Sequence, residues 1–130
     1  MQENIILFLD DLREPPPEQD CHVARSYEDF CSCIRQHQYT EIWFDHDLGG
    51  LDSFGVGKTG KDCLVFLLDL ILNEGYPEPQ RIILHTANPT GRKTMQGLVE
   101  RYLPQTEVIC VRENWKASVL NGYFRDSRTL

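Results

Sequence analysis

Three groups of polar residues in this chain combine carboxylates, imidazoles and a hydroxyl at places where hydrophobic runs end. They are Asp10-Asp11 after NIILFL, Asp45-His46-Asp47 after EIWF, and His85-Thr86-Ala87-Asn88 after RIIL. Because carboxylates and imidazoles are costly to desolvate, a buried run does not normally end in them without a partner. Aspartate oxygens suit hard ions such as Mg²⁺, and an added histidine shifts the preference toward Mn²⁺. These residue types therefore indicate metal-assisted or acid–base chemistry.

Short hydrophobic runs alternate along the chain with segments that have helical features. Strands are predicted over residues 4–9, 22–25, 41–44, 81–84 and 107–111. Capping residues and apolar periodicity predict helices over about 27–38, 60–74 and 91–103, and a short last helix over 115–124. The segment LREPPPEQD cannot be helical across its prolines and is predicted to be a loop.

The alternation of strands and helices predicts an α/β domain with a doubly wound parallel sheet and helices on both faces. Ligands of such sheets bind outside the carboxyl ends of the strands, where all three polar groups fall. Each group alone has an ordinary explanation as a solvated turn, a helix cap or an edge residue. Their convergence on one edge favours a functional site.

Length, charge and cysteine content restrict the class of protein. The chain of 130 residues is predicted to be one domain, over 1–130, and its net charge of −7 opposes binding along an extended nucleic acid. A small phosphorylated ligand, or the end of an RNA, remains compatible. The sequence shows no membrane span and no basic, apolar leader, and its five cysteines lack metal-site spacing, so we expect reduced thiols in a cytoplasmic protein.

Several of these segments resemble a known family. Aspartates after the first and third strands and Thr86-Ala87 after the fourth resemble the receiver domains of phosphorelay signalling. Within that group, LFLDDLREPPP, DHDLGG and HTANPTGR are similar to the cyclic-phosphate processing receiver domains, over residues 5 to about 100. The resemblance implies a flavodoxin-like sheet of five strands in the order 2-1-3-4-5, with the first helix reduced or replaced by the proline loop.

The resemblance also implies roles for individual residues. Asp10 and Asp11 match the metal-binding acids, Asp45 the phosphoacceptor position, Thr86 the hydroxyl that contacts the phosphoryl group, and Gly60 the glycine that opens the third helix. The lysine-proline pair that ends the fifth strand of receivers is absent, since this strand ends at Val111-Arg112-Glu113. His46 and His85 are additional to what ordinary receivers need. Both departures argue against simple aspartyl-phosphate signalling.

The resulting hypothesis is a metal-dependent phosphoesterase that opens a cyclic phosphate, either on a nucleotide-type small molecule or on an RNA 2′,3′-cyclic phosphate end. Mg²⁺ or Mn²⁺ is expected at Asp10, Asp11, Asp45 and Asp47. Asp45, His46 and His85 are the candidate catalytic residues, with His46 favoured as proton donor and His85 as a phosphate contact or metal ligand. The alternative is a non-catalytic, receiver-like interaction or signalling module.

Candidate phosphate contacts are spread over several segments of the chain. Arg92 and Lys93 fall in a predicted first helical turn, where cations are unfavourable unless an anion is present. The segment GVGKTG lacks the first glycine of a P-loop, because position 52 is Asp52, and is interpreted as a flap that carries Lys58. The full set of expected phosphate or substrate contacts is Arg13, Lys58, Thr86, Asn88, Arg92 and Lys93.

Overall fold

A computed structural model describes residues 5–15, 20–49 and 57–111 of the protein. Its strands are β1 (Ile6–Leu9), β2 (Cys21–Ala24), β3 (Glu41–Phe44), β4 (Arg81–Leu84) and β5 (Glu107–Cys110). They form one five-stranded sheet in the order β2-β1-β3-β4-β5, and every neighbouring pair is parallel. The predicted fold class and strand order are confirmed. β1 and β3 are buried along their whole length, as uninterrupted apolar runs predict.

Three helices follow the strands: α1 (Tyr27–Gln36), α2 (Gly60–Glu74) and α3 (Pro89–Tyr102). α2 begins at a capping box in which Thr59 accepts the backbone N–H of Asp62 and Asp62 accepts that of Thr59. It ends at Gly75, whose φ of 78° lies in the left-handed region that glycine adopts without strain. Local sequence chemistry therefore accounts for both ends of α2.

The other two helices differ slightly from the predicted ranges. α1 is capped by Ser26 as predicted but ends at Gln36, because the backbone of His37 is extended. α3 begins at Pro89 rather than near Gly91. Asn88 caps α3 by accepting the Gly91 N–H, which leaves proline at the first helical position, where its missing N–H is not needed.

Both faces of the sheet are buried, but the three helices of the described ranges cover only one of them. On the helical face one cluster joins the strands to α1, α2 and α3; it includes Leu7, Leu9, Ile42, Phe44, Ile82, Leu84, Phe30, Leu64, Leu67, Met95 and Val99. The second face carries Ile6, Phe8, Trp43, Ile83, Ile109 and Val111. No helix of the described ranges packs on this second face, and the helix predicted over 115–124 lies outside those ranges.

The connection from β1 to β2 contains no helix in its described part, residues 11–15 and residue 20, in agreement with the expected proline loop. The five cysteines are free. Within the described ranges, no helix has both the length and the apolar character that a membrane span requires.

Candidate metal and phosphate site

Asp10, Asp45 and His85 lie side by side at the carboxyl edge of the sheet. Leu9 of β1 is in register with Phe44 of β3, and Phe44 with Leu84 of β4, so the residues that follow these three form one row. The backbone ladder continues into the row, since the Asp45 N–H donates to Leu9 O at 3.1 Å and the His85 N–H to Phe44 O at 3.0 Å. The sheet itself thus brings these three distant residues together.

Three carboxylates form a compact acidic cluster at this edge. One oxygen each from Asp10, Asp11 and Asp45 lies within 4.8 Å of the others. Asp10 and Asp45 are almost fully buried, at 1% and 7% exposure. Burial raises the pKa of Asp45; the charge of Asp10 adds to this effect, and His85 partly offsets it. The cluster is therefore a place where a bound cation would relieve repulsion between desolvated charges.

Asp10 differs from Asp45 because hydrogen bonds satisfy its carboxylate. Its Oδ1 accepts the backbone N–H groups of Leu12 and Arg13 at 2.9 and 2.8 Å, and its Oδ2 accepts from Nε2 of His85 at 3.1 Å. Burial alone would raise the pKa of Asp10, but these hydrogen bonds lower it to about 2. Asp10 is therefore ionised at neutral pH and is ready to bind a cation.

The acidic cluster lines an open cavity of about 370 Å³. Its described lining residues are Asp10, Asp11, Leu12, Arg13, Asp45, Asp47, Leu48, Gly49, Thr86 and Ala87. Nη1 of Arg13 lies 3.9 Å from Oδ2 of Asp10 and donates to the backbone carbonyl of His85 at 3.1 Å. The Thr86 hydroxyl is buried and accepts the Asn88 N–H at 3.1 Å. The cavity thus combines an acidic floor with a guanidinium and a hydroxyl, two groups of the kind that bind phosphate.

His85 lies behind the cavity rather than in it. Its ring is fully buried and stacks on Phe8, with ring centroids 4.9 Å apart and planes 12° apart. The contact between Nε2 and Asp10 links it to the acidic cluster. In this position His85 orients the carboxylate of Asp10, and it is not among the described residues that line the cavity.

His46 belongs to a second polar group beside the cavity. Its Nδ1 contacts Oδ1 of Asp47 at 2.9 Å, and Nδ2 of Asn88 donates to the same oxygen at 3.3 Å. The ring also lies against the start of α3, because a Cβ added to Gly91 would come within 2.5 Å of its Cγ. The hydrogen bond from His46 lowers the pKa of Asp47, whose side chain is 67% exposed. Asp47 borders the cavity but is outside the acidic cluster.

Gly60 holds the start of α2 against the end of β3. Its N–H donates to His46 O at 2.7 Å, and a Cβ at this position would lie 1.7 Å from Asp45 O. Any side chain here would displace the backbone that carries Asp45 and His46. The glycine at the start of this helix is thus required by a close backbone approach.

Comparison with known families agrees with this geometry. The model of the family described as "Cyclic-phosphate processing Receiver domain" matches residues 5–101. The chain belongs to this family. A solved signal receiver domain of an HD domain-containing protein from Pseudomonas fluorescens Pf-5 is similar in fold, with a TM-score of 0.58, 14% sequence identity, and coverage of 98% of this chain and 96% of that one. No curated protein matches the chain.

Not all of the expected phosphate contacts reach the cavity of this receiver domain. Nζ of Lys58 lies 5.1 Å from the ring centroid of Tyr27 on α1, and Lys93 is exposed on α3. Arg92 is near Cys110 of β5, where its charge opposes the burial that raises the pKa of that thiol. Arg13 and Thr86 line the cavity, whereas Asn88 caps α3.

Arg25 is the main residue of this edge that the sequence prediction missed. Leu9 of β1 is in register with Ala24 of β2, so Arg25 follows β2 at the level where Asp10 follows β1. Nη1 of Arg25 donates to the carbonyl of Asp10 at 3.2 Å. The signal that would have revealed Arg25 is its position directly after the strand next to β1, because neighbouring parallel strands end side by side.

A larger cavity, of about 800 Å³, lies at the opposite end of the strands, between the ends of α1 and α2. Its lining includes Ile5, Ile34, Leu70 and Tyr76. The acidic cluster found within the described ranges does not border it. We therefore place the candidate site at the smaller cavity, where the charged groups converge.

Proposed function

We propose that this receiver domain is a metal-dependent phosphoesterase that opens a cyclic phosphate. The observation that carries the proposal is the placement of three carboxylates, the Arg13 guanidinium and the Thr86 hydroxyl around one cavity. The family description, which names cyclic-phosphate processing, supports the same substrate class. Nucleotide-type small molecules and RNA ends with a 2′,3′-cyclic phosphate both remain candidate substrates, because an open cavity admits either.

Asp10, Asp11 and Asp45 would hold the divalent ion in this proposal. Three carboxylate oxygens within 4.8 Å form a donor set suited to Mg²⁺ or Mn²⁺. An ion bound there supplies electrostatic stabilisation of negative charge on a phosphoryl oxygen. Asp47 would act on the other side of the cavity, through its bond to His46.

Residues of the chain itself bind the phosphate and transfer the proton. Arg13 and Thr86 donate hydrogen bonds to phosphoryl oxygens, and a guanidinium is well matched to that geometry. Opening the ring requires water: one P–O bond forms to the water oxygen, which gives up a proton to solvent, and one ester P–O bond of the ring breaks. The departing alkoxide oxygen takes up a proton, and a histidine suits this step near neutral pH. His46 is the proposed donor, with Asp47 holding its Nδ1 so that the ring keeps one orientation. His85 holds Asp10 in position from behind.

The second candidate function is a non-catalytic signalling or interaction module. Two observations favour it. His85 is fully buried, and the described lining of the cavity includes neither His85 nor His46. The similar solved structure is named a signal receiver domain. A module of this kind would bind the metal without opening a phosphate ring.

A substrate screen separates the two functions. The purified protein is incubated with Mg²⁺ or Mn²⁺ and with 3′,5′- and 2′,3′-cyclic nucleotides or an oligonucleotide ending in a 2′,3′-cyclic phosphate, and products are followed by phosphorus NMR. The phosphoesterase proposal expects a linear monoester from at least one substrate, and loss of the product when EDTA is added. Metal binding without any product would support the signalling module.

Variants of the two histidines test their separate roles. His46→Gln is expected to slow turnover by about 10²–10⁴-fold with metal affinity unchanged, and a substrate with a good leaving group should recover much of that rate. His85→Gln is expected to weaken metal binding through Asp10, with little such recovery. His37→Gln, an exposed histidine beyond the end of α1, is the control. Recovery in His85→Gln but not in His46→Gln would reverse the two roles.

A further inference from the structure

The loop after β1 positions the guanidinium of Arg13 at the cavity. Its described part, residues 11–15, contains no helix, yet Arg13 within it reaches the acidic cluster. Arg13 is the only cationic side chain in the described lining of the cavity. One set of bonds fixes the loop from inside, since Oδ1 of Asp10 accepts the N–H groups of Leu12 and Arg13.

Arg25 fixes the same loop from outside. Nη1 of Arg25 donates to the backbone carbonyls of Asp10, at 3.2 Å, and of Arg13. Its Nη2 donates to a carboxylate oxygen of Glu14 at 2.8 Å. One planar guanidinium therefore donates to three acceptors along residues 10–14. Two of these acceptors are backbone carbonyls, one before and one after the segment Asp11-Leu12.

Arg25 is itself held by rigid elements. It directly follows β2, which pairs with β1. Its N–H donates to Oδ2 of Asp29 at 3.2 Å, while the Asp29 N–H donates to the hydroxyl of Ser26, the cap of α1. A strand end and a helix cap thus set the direction of the Arg25 side chain, and the loop is attached to both.

We propose that Arg25 is a positioning residue for the bound phosphate, acting by holding the Arg13 guanidinium at the cavity. Arg25 bonds the backbone of Arg13 on one side, while the Arg13 side chain bonds the backbone of His85 on the other. Removing Arg25 frees the Arg13 carbonyl and with it the base of the side chain that meets the anion. This proposal rests on the proposed function in one respect: both take the anion that binds in the cavity to be a phosphate.

A residue that only stabilises the loop as a whole would affect phosphate affinity differently from a residue that positions Arg13. If Arg25 acts through Arg13, its removal should do nothing to phosphate affinity once Arg13 is gone. A residue that stabilises the whole loop would, when removed, weaken phosphate binding equally in the protein with Arg13 and in the protein without it. A double-mutant cycle distinguishes the two, because coupled residues show non-additive effects and independent ones do not.

The test measures the affinity of inorganic phosphate by isothermal titration calorimetry in the presence of Mg²⁺, with the Kd of Mn²⁺ alone as a second readout. The variants are Arg25→Met, Arg13→Met, their combination, Arg25→Lys, and Glu14→Gln as a matched control. Glu14→Gln removes the negative charge of the exposed partner of Arg25 and leaves both carbonyl bonds in place. Melting temperatures of all variants show whether each is folded.

Arg25→Met is expected to raise the Kd of phosphate by about tenfold, the loss typical of one misplaced charged hydrogen bond. The increase should disappear in the Arg13→Met background, and Glu14→Gln should match the wild type. Arg25→Lys keeps the positive charge but loses the planar guanidinium, so its Kd for phosphate should lie between those of the wild type and Arg25→Met. It also replaces Arg25→Met in the test if that variant does not fold. The Kd of Mn²⁺ should change much less than that of phosphate.

Three results would overturn the proposal: equal effects of Arg25→Met with and without Arg13, an effect of Glu14→Gln as large as that of Arg25→Met, or no phosphate binding by the wild type. The proposed enzymatic function can fail separately. A wild type that opens no cyclic phosphate, but whose variants show the expected pattern with inorganic phosphate, leaves the role of Arg25 standing.

Discussion

The two ends of β3 carry buried carboxylates in opposite electrostatic situations. Glu41, at the amino end, is 1% exposed and accepts from Nη1 of Arg81 at 2.6 Å and Nε1 of Trp43 at 2.7 Å. Asp45, just past the carboxyl end, is 7% exposed; within the described ranges it accepts the N–H of His46 and faces two further acids. Glu41 is thus paired with a guanidinium, whereas Asp45 lies beside two other carboxylates.

This difference separates a structural charge from a functional one. A buried acid with a fixed cation and hydrogen bonds is complete in the folded chain, so adding an ion does nothing for it. A buried acid beside other acids destabilises the metal-free protein. A cation that neutralises these acids relieves the repulsion, and that relief contributes to the free energy of cation binding. We therefore expect the amino end to govern stability and the carboxyl end to govern metal response.

The largest effect is expected at the amino end. Arg81→Met would leave Glu41 buried without its cation, and breaking a buried pair in this way costs about 3–5 kcal/mol. Urea unfolding should show this loss both with and without Mg²⁺, because the site at the other end is untouched. Arg101→Met, on the surface of α3, is the control and should change stability by less than about 0.5 kcal/mol. A loss at Arg81 no larger than that of the control would contradict the comparison.

At the carboxyl end, Asp45→Asn should reverse the usual sign of a core substitution. The metal-free variant is expected to be more stable than the wild type, because it no longer buries a carboxylate whose pKa burial has raised. It should also lose most of the metal response, which for the wild type is about 2.7 kcal/mol at a metal concentration 100 times the Kd. Thermal unfolding with Mg²⁺, Mn²⁺ or EDTA measures both effects.

Asp69→Asn is the matched control, since Asp69 lies exposed on α2, where it accepts from Asn73. It should behave like the wild type in all three conditions. An Asp45→Asn protein that responds to both metals as fully as the wild type does would show that Asp45 is not a ligand.

Acid should act on Asp10 and Asp45 with opposite signs. The pKa of Asp10 is lowered from 3.8 to about 2, so its contribution to stability is present above pH 3.8 and is lost as pH falls toward 2. Such a shift corresponds to about 2 kcal/mol. The pKa of Asp45 is raised, so the metal-free protein gains stability from this group as pH falls through that raised value.

The pH dependence of unfolding in EDTA, compared with that of Asp10→Asn and Asp45→Asn, isolates each contribution. Asp10→Asn should flatten the loss between pH 4 and 2, in the window predicted from the lowered pKa. Identical acid profiles for wild type and Asp10→Asn would mean that the hydrogen bonds from His85, Leu12 and Arg13 do not stabilise the ionised carboxylate.

The smallest effect is expected at Asp47, the second aspartate beside His46. Its side chain is 67% exposed, so replacing it with asparagine should change the free energy of unfolding by less than about 0.5 kcal/mol. The Kd of Mn²⁺ should stay the same, because Asp47 lies outside the acidic cluster. If calorimetry shows Mn²⁺ binding weakened as much as in Asp45→Asn, Asp47 is a metal ligand after all.

Much of the fold was predictable because it depends on local chemistry. The features that determine the strands and α2 each involve only neighbouring residues. They are the continuous apolar runs of the strands, the Thr59–Asp62 capping box and Gly75. The strand order followed from the family resemblance, and the gathering of Asp10, Asp45 and Thr86 at one cavity from the rule that parallel strands end at the same edge.

The sequence alone therefore predicts which elements form and which polar residues meet at one edge. Tertiary packing sets what each of those residues contacts. His85, the first residue after β4, lies behind Asp10, and His46, the second residue after β3, contacts Asp47. Arg25 reaches the cavity loop, whereas Lys58 lies over Tyr27. The contacts of His85, Arg25 and Lys58 join residues far apart in the chain, and no local pattern encodes them.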